Sequence, residues 1–507
     1  MGMRKRLRLL WALDYRSLAV FRILLAMVLL GDLFVRSRDI TAHYTDFGVV
    51  PRSEIIQGIM GSEFFVSLHL ISGSSLGQAI LFILAACFLI GMLLGVRTRL
   101  CHLVSWGLLC SLHTRNPYVL HAGDTLLRMI TFWLLFLPTA KVWSIDALKR
   151  PPELQRCASE QTVSSIATFA FMWQLVLVYL IGAQLKNGSE WTHEYTALYY
   201  ALNLETLVTP LGAKLGQYFT LCQILTCVTV CIQKYGLLFL IVPFFISYCR
   251  VLVIVLFSGF HLAIGLTFKL GLFVPTCLIV WSVLTPSFVW NYLERQAFFI
   301  SLKKILKTCA LKAPFDTFYR TQWATGETPQ IYRKLCPIVV CFLLAYVSLW
   351  NVKTLHPAYK RSVEVLPQEV SWLGYILRLD QHWNMFAPSP TKKEGWFTIP
   401  AMTLNGQKID LLHGGEQRAL DKSSLMAAPH KNLKWQTLML YLNHSKYSRY
   451  CAYYGQYLIR QWNQTHSAEQ RIKSMQIVFM KEVTPQPGAT YKPLQKKVLW
   501  SYDLKTL

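Results

Sequence analysis

The chain has 507 residues, 53% hydrophobic and 13% aromatic, and only 15% charged, where a soluble chain of this length carries about a quarter. With its repeated apolar runs, this composition excludes an ordinary soluble enzyme and indicates a polytopic membrane protein. The formal net charge of +25 is compatible with nucleic acid, yet the basic residues lie mostly between apolar runs and in the tail, where anionic headgroups and the cytoplasmic bias of Lys and Arg account for them.

The N-terminal stretch "MGMRKRLRLLWALDYRSLAVFRILLAMVLLGDLF" opens like a signal peptide. Its apolar part is too long, and no small-residue cleavage site follows, so it reads as an uncleaved signal anchor. "MGMRKR" lacks the Ser or Thr of a myristoylation site. Nine apolar runs are candidate spans: 17–35, 76–96, 100–112, 126–140, 163–185, 215–232, 236–257, 260–284 and 335–352. The third and fourth are short. Arg22 and Asp32 sit inside the first, too far apart to pair with each other, so each needs a partner on another helix. Lys269 is a further charge placed inside the eighth run.

Loop charges set the orientation. "RKRLR", "RTR", "ALKRPPELQR", "QK" and "LERQAFFISLKKILKTCALK" all fall on the N-terminal side of the spans. This predicts a cytoplasmic N-terminus and an external tail. Within the last basic loop, Phe298, Phe299, Leu302, Ile305, Leu306 and Cys309 recur at helical spacing, the pattern of an interfacial helix on anionic lipid or a short helix against the bundle. From His356 hydropathy drops. "GWFTIPAMTLNGQKIDLL" alternates, breaks at Asn405-Gly406 and alternates again, a hairpin pattern. "RYCAYYGQYLIRQWNQ" reads as an amphipathic helix and "SMQIVFMKEVTP" as a strand. The expected fold is an all-α polytopic membrane bundle of about nine helices with a small extracytoplasmic α+β domain. Its parts are a basic cytoplasmic N-terminus (1–16), a transmembrane domain (17–292), a basic cytoplasmic interfacial segment (293–334), a last transmembrane helix (335–355) and the α+β domain (356–507).

Thirteen cysteines, mostly inside apolar runs and without C-x-x-C, form neither a disulfide framework nor a zinc site. His121, His193 and His261 match no metal motif, so no metal is expected. The polar loops predicted on the outer side are "HYTDFGVVPR" with Asp46, "RNPYVLHAGD" with Arg115, Asn116 and His121, "KNGSEWTHEY" with Lys186 and Trp191, and "SGFH" with His261. "LDQHWNMFAPSP", with Trp383 and Met385, is either domain packing or a wall of a site at the membrane surface. Lys186 is the sharpest of these residues. A lysine at a span end commonly snorkels as an anchor. Held in apolar surroundings, it would instead lose charge and become a usable base. Spacing does not separate these readings.

The stretches "FRILLAMVLLGDLFVRSRDITAHYTDFGVVPR", "RNPYVLHAGDTLLRMITFWLLFLP", "WSID" and "LKNGSEW" together resemble the HTTM (horizontally transferred transmembrane) domain. That domain is shared by vitamin K-dependent gamma-carboxylase and many bacterial membrane proteins. "RLDQHWNMFAPSP" is similar to the tail of the bacterial members, and distantly to a Trp-Asp-Met-Met region of the carboxylase. In the carboxylase a lysine deprotonates vitamin K hydroquinone on the luminal side. Reaction with oxygen then yields an epoxide and a strong base that carboxylates glutamate. The family lysine stands five residues before a tryptophan, as Lys186 does before Trp191.

The resemblance therefore implies a catalytic group of Lys186, His121 and Asn116, with Trp191, Arg115, Asp46, His261, Trp383 and Met385 around the substrate. It also implies a reduced, vitamin K-like quinone as cofactor. Two positions depart from the family. The Asn-His pair of the carboxylase reads Asn116-Pro117 here, and the histidine after its Met-Met pair is replaced by Ala387-Pro388. The luminal portion is also shorter, which weighs against propeptide recognition.

The reading that results is an integral membrane HTTM protein with carboxylase-like or quinone-dependent redox chemistry at the outer face and a lysine base. Expected partners are membrane lipids and a lipid-soluble quinone or membrane-proximal peptide, not nucleic acid. The expected location is a bacterial inner membrane, with the tail in the periplasm. The rival readings are a non-enzymatic assembly or immunity factor and, third, a transporter, for which the sequence lacks the internal repeat.

Overall fold

The computed structural model describes residues 2–60, 67–149, 161–296, 330–359, 365–414, 432–490 and 493–504. The expected interfacial helix from Phe298 to Cys309 lies outside these residues. The principal helices are α1 (Tyr15–Ser37), α2 (Ser75–Leu94), α3 (Thr98–Arg115), α4 (Ala122–Leu134), α5 (Ile166–Leu185), α6 (Phe219–Tyr235), α7 (Ile246–Thr267), α8 (Phe273–Trp281), α9 (Ser287–Leu293) and α10 (Gln330–Tyr359). Among the described residues, six helices are long and apolar enough to cross a membrane, or seven if the bent pair Phe273–Leu284 and Ser287–Leu293 is one span.

The expected nine are thus reduced for two reasons. Helix α4 has 13 residues, about 20 Å of rise against the roughly 30 Å of a hydrocarbon core. Helix α3 is long enough at 18 residues but carries Arg99, His102, His113 and Arg115. The seventh and eighth predicted runs are also redrawn. A turn around Pro243 separates the 3-10 stretch Gly236–Ile241 from α7. "SGFH" is therefore no loop. Its Gly259 has no neighbour that a side chain would strike, so the helix runs straight through it and His261 lies within α7. Lys269 is not inside a span either. It stands exposed in the turn after α7, and its backbone N–H bonds Leu207 O at 2.7 Å.

Capping fixes the helix ends. The Asp14 carboxylate accepts from Arg16 N at 2.8 Å at the start of α1 and also takes the Arg16 guanidinium at 2.8 and 3.0 Å. Arg16 reaches on to Asn291 in α9 at 2.8 Å. Ser74 and Ser165 cap α2 and α5. Arg22 finds carbonyls rather than a carboxylate: Thr139 O at 3.2 Å and Trp143 O at 2.6 Å. It needs Gly95 beside it, where φ is +72° and a Cβ would stand 2.6 Å from the guanidinium.

After α10 the chain turns back. The short helix α11 (Ser371–Ile376) packs on α10, where the Tyr346 hydroxyl accepts from Gly374 N at 2.8 Å and donates to Val370 O at 3.0 Å. In the extended stretch after it, Arg378, Leu379, Gln381 and Trp383 are buried, while His382 and Asn384 are exposed. Gln381 accepts from Gln174 at 2.8 Å, and Gln174 accepts from Trp133 at 3.1 Å. Gln174 stands near the midpoint of α5, so this segment re-enters the bundle to the middle of a span. Irregular backbone at such depth survives only when protein surrounds it and satisfies its polar groups. Arg128 of α4 does this for the carbonyls of Arg378 and Asp380, at 2.7 and 2.5 Å.

The tail then forms a five-stranded antiparallel sheet: β1 (Lys393–Thr398), β2 (Pro400–Thr403), β3 (Lys408–Asp410), β4 (Ile472–Val483) and β5 (Gln495–Asp503). Strand β4 pairs with β5 along one edge and with β1 and then β2 along the other. The predicted hairpin is β2–β3, turning at Gly406 with φ +85°. The predicted helix is α13 (Tyr450–Thr465), preceded by an unpredicted α12 (Leu433–Leu442). Val49, Val50 and Val119 of the helical domain share one apolar cluster with Phe397, Ile399 and Trp435. The sheet domain is therefore seated on the bundle by a common core.

Candidate functional site

Residues near the ends of α5 and α7 and the returning segment enclose a cavity of about 110 Å³. Its polar atoms are few. Lys186 caps the C-terminus of α5, one residue beyond the span, and is only 6% exposed. Its ammonium donates to Gly182 O at 3.0 Å and stands 5.5 Å from the centroid of the Trp191 ring. Among the described residues no carboxylate pairs with it. Burial pushes its pKa down to about 8, because the charged form loses hydration and gains no counter-ion.

Tyr179 and Gly182 precede Lys186 by seven and four residues, so the three share one face of α5. The Tyr179 hydroxyl lies 3.3 Å from His261 Nε2, and His261 Nδ1 lies 2.7 Å from Phe257 O. The carbonyl can only accept, so Nδ1 carries the proton and Nε2 accepts from the tyrosine. Gln233, from α6, lines the same cavity, and its buried Oε1 has no hydrogen-bond partner among the described residues.

The roof comes from the returning segment. Trp383 and Met385 line the cavity. Phe386 O accepts from Trp191 Nε1 at 2.9 Å, and Pro388 O accepts from Gly188 N at 3.0 Å.

Of the residues expected around the site, Lys186, Trp191, His261, Trp383 and Met385 converge on this cavity. Asp46, Arg115, Asn116 and His121 are not among its lining. Arg115 holds the carbonyls of Val50 and Thr45 at 2.9 and 3.0 Å, and Asp46 pairs with Arg52 at 2.8 Å. Asn116 donates to His43 O at 3.0 Å. These three brace the loop after α1. His121 is the N-cap of α4: its Nδ1 accepts from Gly123 N at 3.0 Å, and Asp124 accepts from His121 N at 2.9 Å.

A second buried cluster lies beside His121. Arg36 bonds Asp32 at 2.6 Å and Asp124 at 2.5 Å, and Lys434 of α12 sits 3.2 Å from Asp32 and 3.0 Å from Asp124. Asp32 thus finds one partner four residues along its own helix and another in the sheet domain. Asp32, His113 and Asp124 are close enough to hold a metal ion. Two carboxylates already face two cations there, so an added divalent ion would leave a large buried excess of positive charge.

Sequence reasoning missed Tyr179, Glu190, Lys392 and Lys434. The i, i+3, i+7 spacing of Tyr179, Gly182 and Lys186 was the available signal for the first. Nothing local marks Lys434. A family model described as the HTTM domain matches residues 11–290. No curated protein and no solved structure matches the chain.

Proposed function

The chain belongs to the HTTM domain family, and from that premise we propose that the cavity at Lys186 receives the ring of a membrane-soluble quinol and that neutral Lys186 removes a proton from its hydroxyl. The single observation that carries the reading is a buried lysine that has no carboxylate partner among the described residues and faces an apolar cavity that also holds a Tyr–His hydrogen bond. A snorkelling anchor reaches water instead. With a pKa of about 8, roughly a tenth of the amine is neutral at pH 7, against well under a thousandth for an ordinary lysine.

The step is a proton transfer. The substrate O–H bond breaks, its proton joins the Nζ lone pair, and the electron pair remains on oxygen. When bound, a quinol supplies the redox chemistry. The protein's part is to hold the ring against Trp191, to place the amine and to exclude water. The Tyr179 oxygen and Gln233 Oε1 can accept hydrogen bonds from the ring hydroxyls. The volume constrains the ring: about 110 Å³ is below the roughly 150 Å³ of a cavity that accepts benzene. In this arrangement even a single-ring quinol needs the roof displaced, and a fused two-ring quinol needs it displaced further. A multi-pass membrane protein is what the apolar helices fit, and the charge asymmetry of the loops supports placing the site at the outer face.

The test is lipid extraction and mass spectrometry of purified protein, followed by binding of a reduced single-ring quinone. Retention of a quinone above the membrane background, with saturable binding, is expected. Absence of both would overturn the proposal.

A further inference from the structure

The turn that follows Lys186 is strapped to the returning segment at one acidic side chain. The Glu190 carboxylate accepts from Ser389 Oγ at 2.6 Å and from Lys392 Nζ at 2.7 Å. Its side chain is 9% exposed, whereas that of Lys392 is 40% exposed. Lys392 also lies over the Tyr200 ring, 4.6 Å from its centroid. Burial alone would push the Glu190 carboxyl up, but the hydrogen bonds from Lys392 and Ser389 outweigh it and hold the carboxyl at about 2. The carboxylate is therefore charged throughout the working range.

The strap has no slack. A Cβ at Gly188 would collide with Ser389 Oγ and stand 2.8 Å from Pro388 O. The residues just before the clamp, Trp383, Met385 and Phe386, line the cavity together with Lys186. Exposed ion pairs contribute little by themselves. Here one carboxylate gathers two donors from the strap and ties them to the residue preceding Trp191.

We infer that Glu190 is a positioning residue: by clamping Ser389 and Lys392 it holds residues 383–390 as the roof of the cavity and keeps Lys186 from water. Glu190 does not line the cavity and is not a catalytic group. It acts through Lys186, whose loss of hydration depends on the roof. The inference rests on the proposed function only in taking Lys186 as the working group of the cavity. Its test needs no turnover, so a closed roof over an inactive pocket would reject the function and keep the positioning role.

The experiment is competitive acetylation of the full-length protein in detergent with trace acetic anhydride across pH. It is read at the Lys186 peptide by mass spectrometry against exposed Lys269. In the wild type the midpoint of Lys186 is expected near 8, with low limiting reactivity. Glu190→Gln and, independently of charge, Gly188→Ala are expected to move the midpoint upward by at least about one pH unit, toward the ordinary value of about 10.4, and to raise the limiting reactivity. Lys392→Met leaves Ser389 on the carboxylate and is expected to do the same to a smaller extent. It carries the test if Glu190→Gln does not survive extraction. An unchanged Lys186 midpoint and reactivity in folded Glu190→Gln, or in folded Lys392→Met together with Gly188→Ala, would overturn the inference.

Discussion

Two lysines in this protein are equally buried and oppositely placed. Lys186 is 6% exposed and Lys434 is 5% exposed. Lys186 meets a carbonyl, an indole and an apolar cavity. Lys434 lies between two carboxylates that also hold Arg36. Burial alone therefore does not make a lysine a base. The charged form is costly where nothing replaces its hydration, and it is retained where buried anions do. On the proposed reading the first lysine serves proton transfer, whereas the second joins Asp32 and Asp124 of the bundle to the sheet domain.

Exchanging the demands on the two residues sharpens this contrast. The largest expected effect is on chemistry. Lys186→Arg keeps a cation but cannot supply a neutral amine, and turnover of a bound quinol should fall by about 10²–10⁴-fold, the usual range for a general base. Wild-type turnover in that variant would reduce Lys186 to an anchor. Lys434→Met should instead leave Lys186 acetylation unchanged and cost about 3–5 kcal/mol in detergent unfolding, because Asp32 and Asp124 then share Arg36 alone. A cost near zero would mean that the cluster does not hold the domains.

The smallest effect is the pH slope. The folded value for Lys186, about 8, lies below the unfolded one, so the unfolded chain binds more protons between about pH 8 and 10.4. Relative to Lys186→Met, stability is therefore expected to rise with pH through that window, by up to roughly 3 kcal/mol. Parallel curves for the two proteins would show that Lys186 is hydrated in solution.

What the sequence discloses depends on range. Nearly everything carried by local period or turn chemistry was legible: the apolar helices, the Asn405-Gly406 turn, the α13 pattern and the β4 alternation. Boundaries inside the long apolar stretch 236–284 were not, since one hydropathy run gives no phase for a break, and Gly259 reads as a loop although α7 passes through it. The site was half legible. Lys186 and Trp191 share a turn, and the family likeness singles them out. Asn116 and His121 lie in an equally polar loop, but their hydrogen bonds are spent on a carbonyl and a helix cap. Lys434 and Lys392 belong to the site's surroundings through contacts across 310 and about 200 residues of sequence, which no periodicity encodes.

The segment that turns back to Gln174 also bears on how the molecule is made. Residues 11–290 match the family model, yet Gln381, Trp383 and the two carbonyls held by Arg128 complete the interior of that domain from beyond the last span. A nascent chain released after α10 would have every membrane-length helix inserted and still lack one wall of its cavity, with Arg128 without the two carbonyls it holds and the Gln174 amide N–H without Gln381. Closure must therefore come late, after synthesis has passed residue 383. A quality-control protease would meet the unfinished bundle as a different substrate from the finished one.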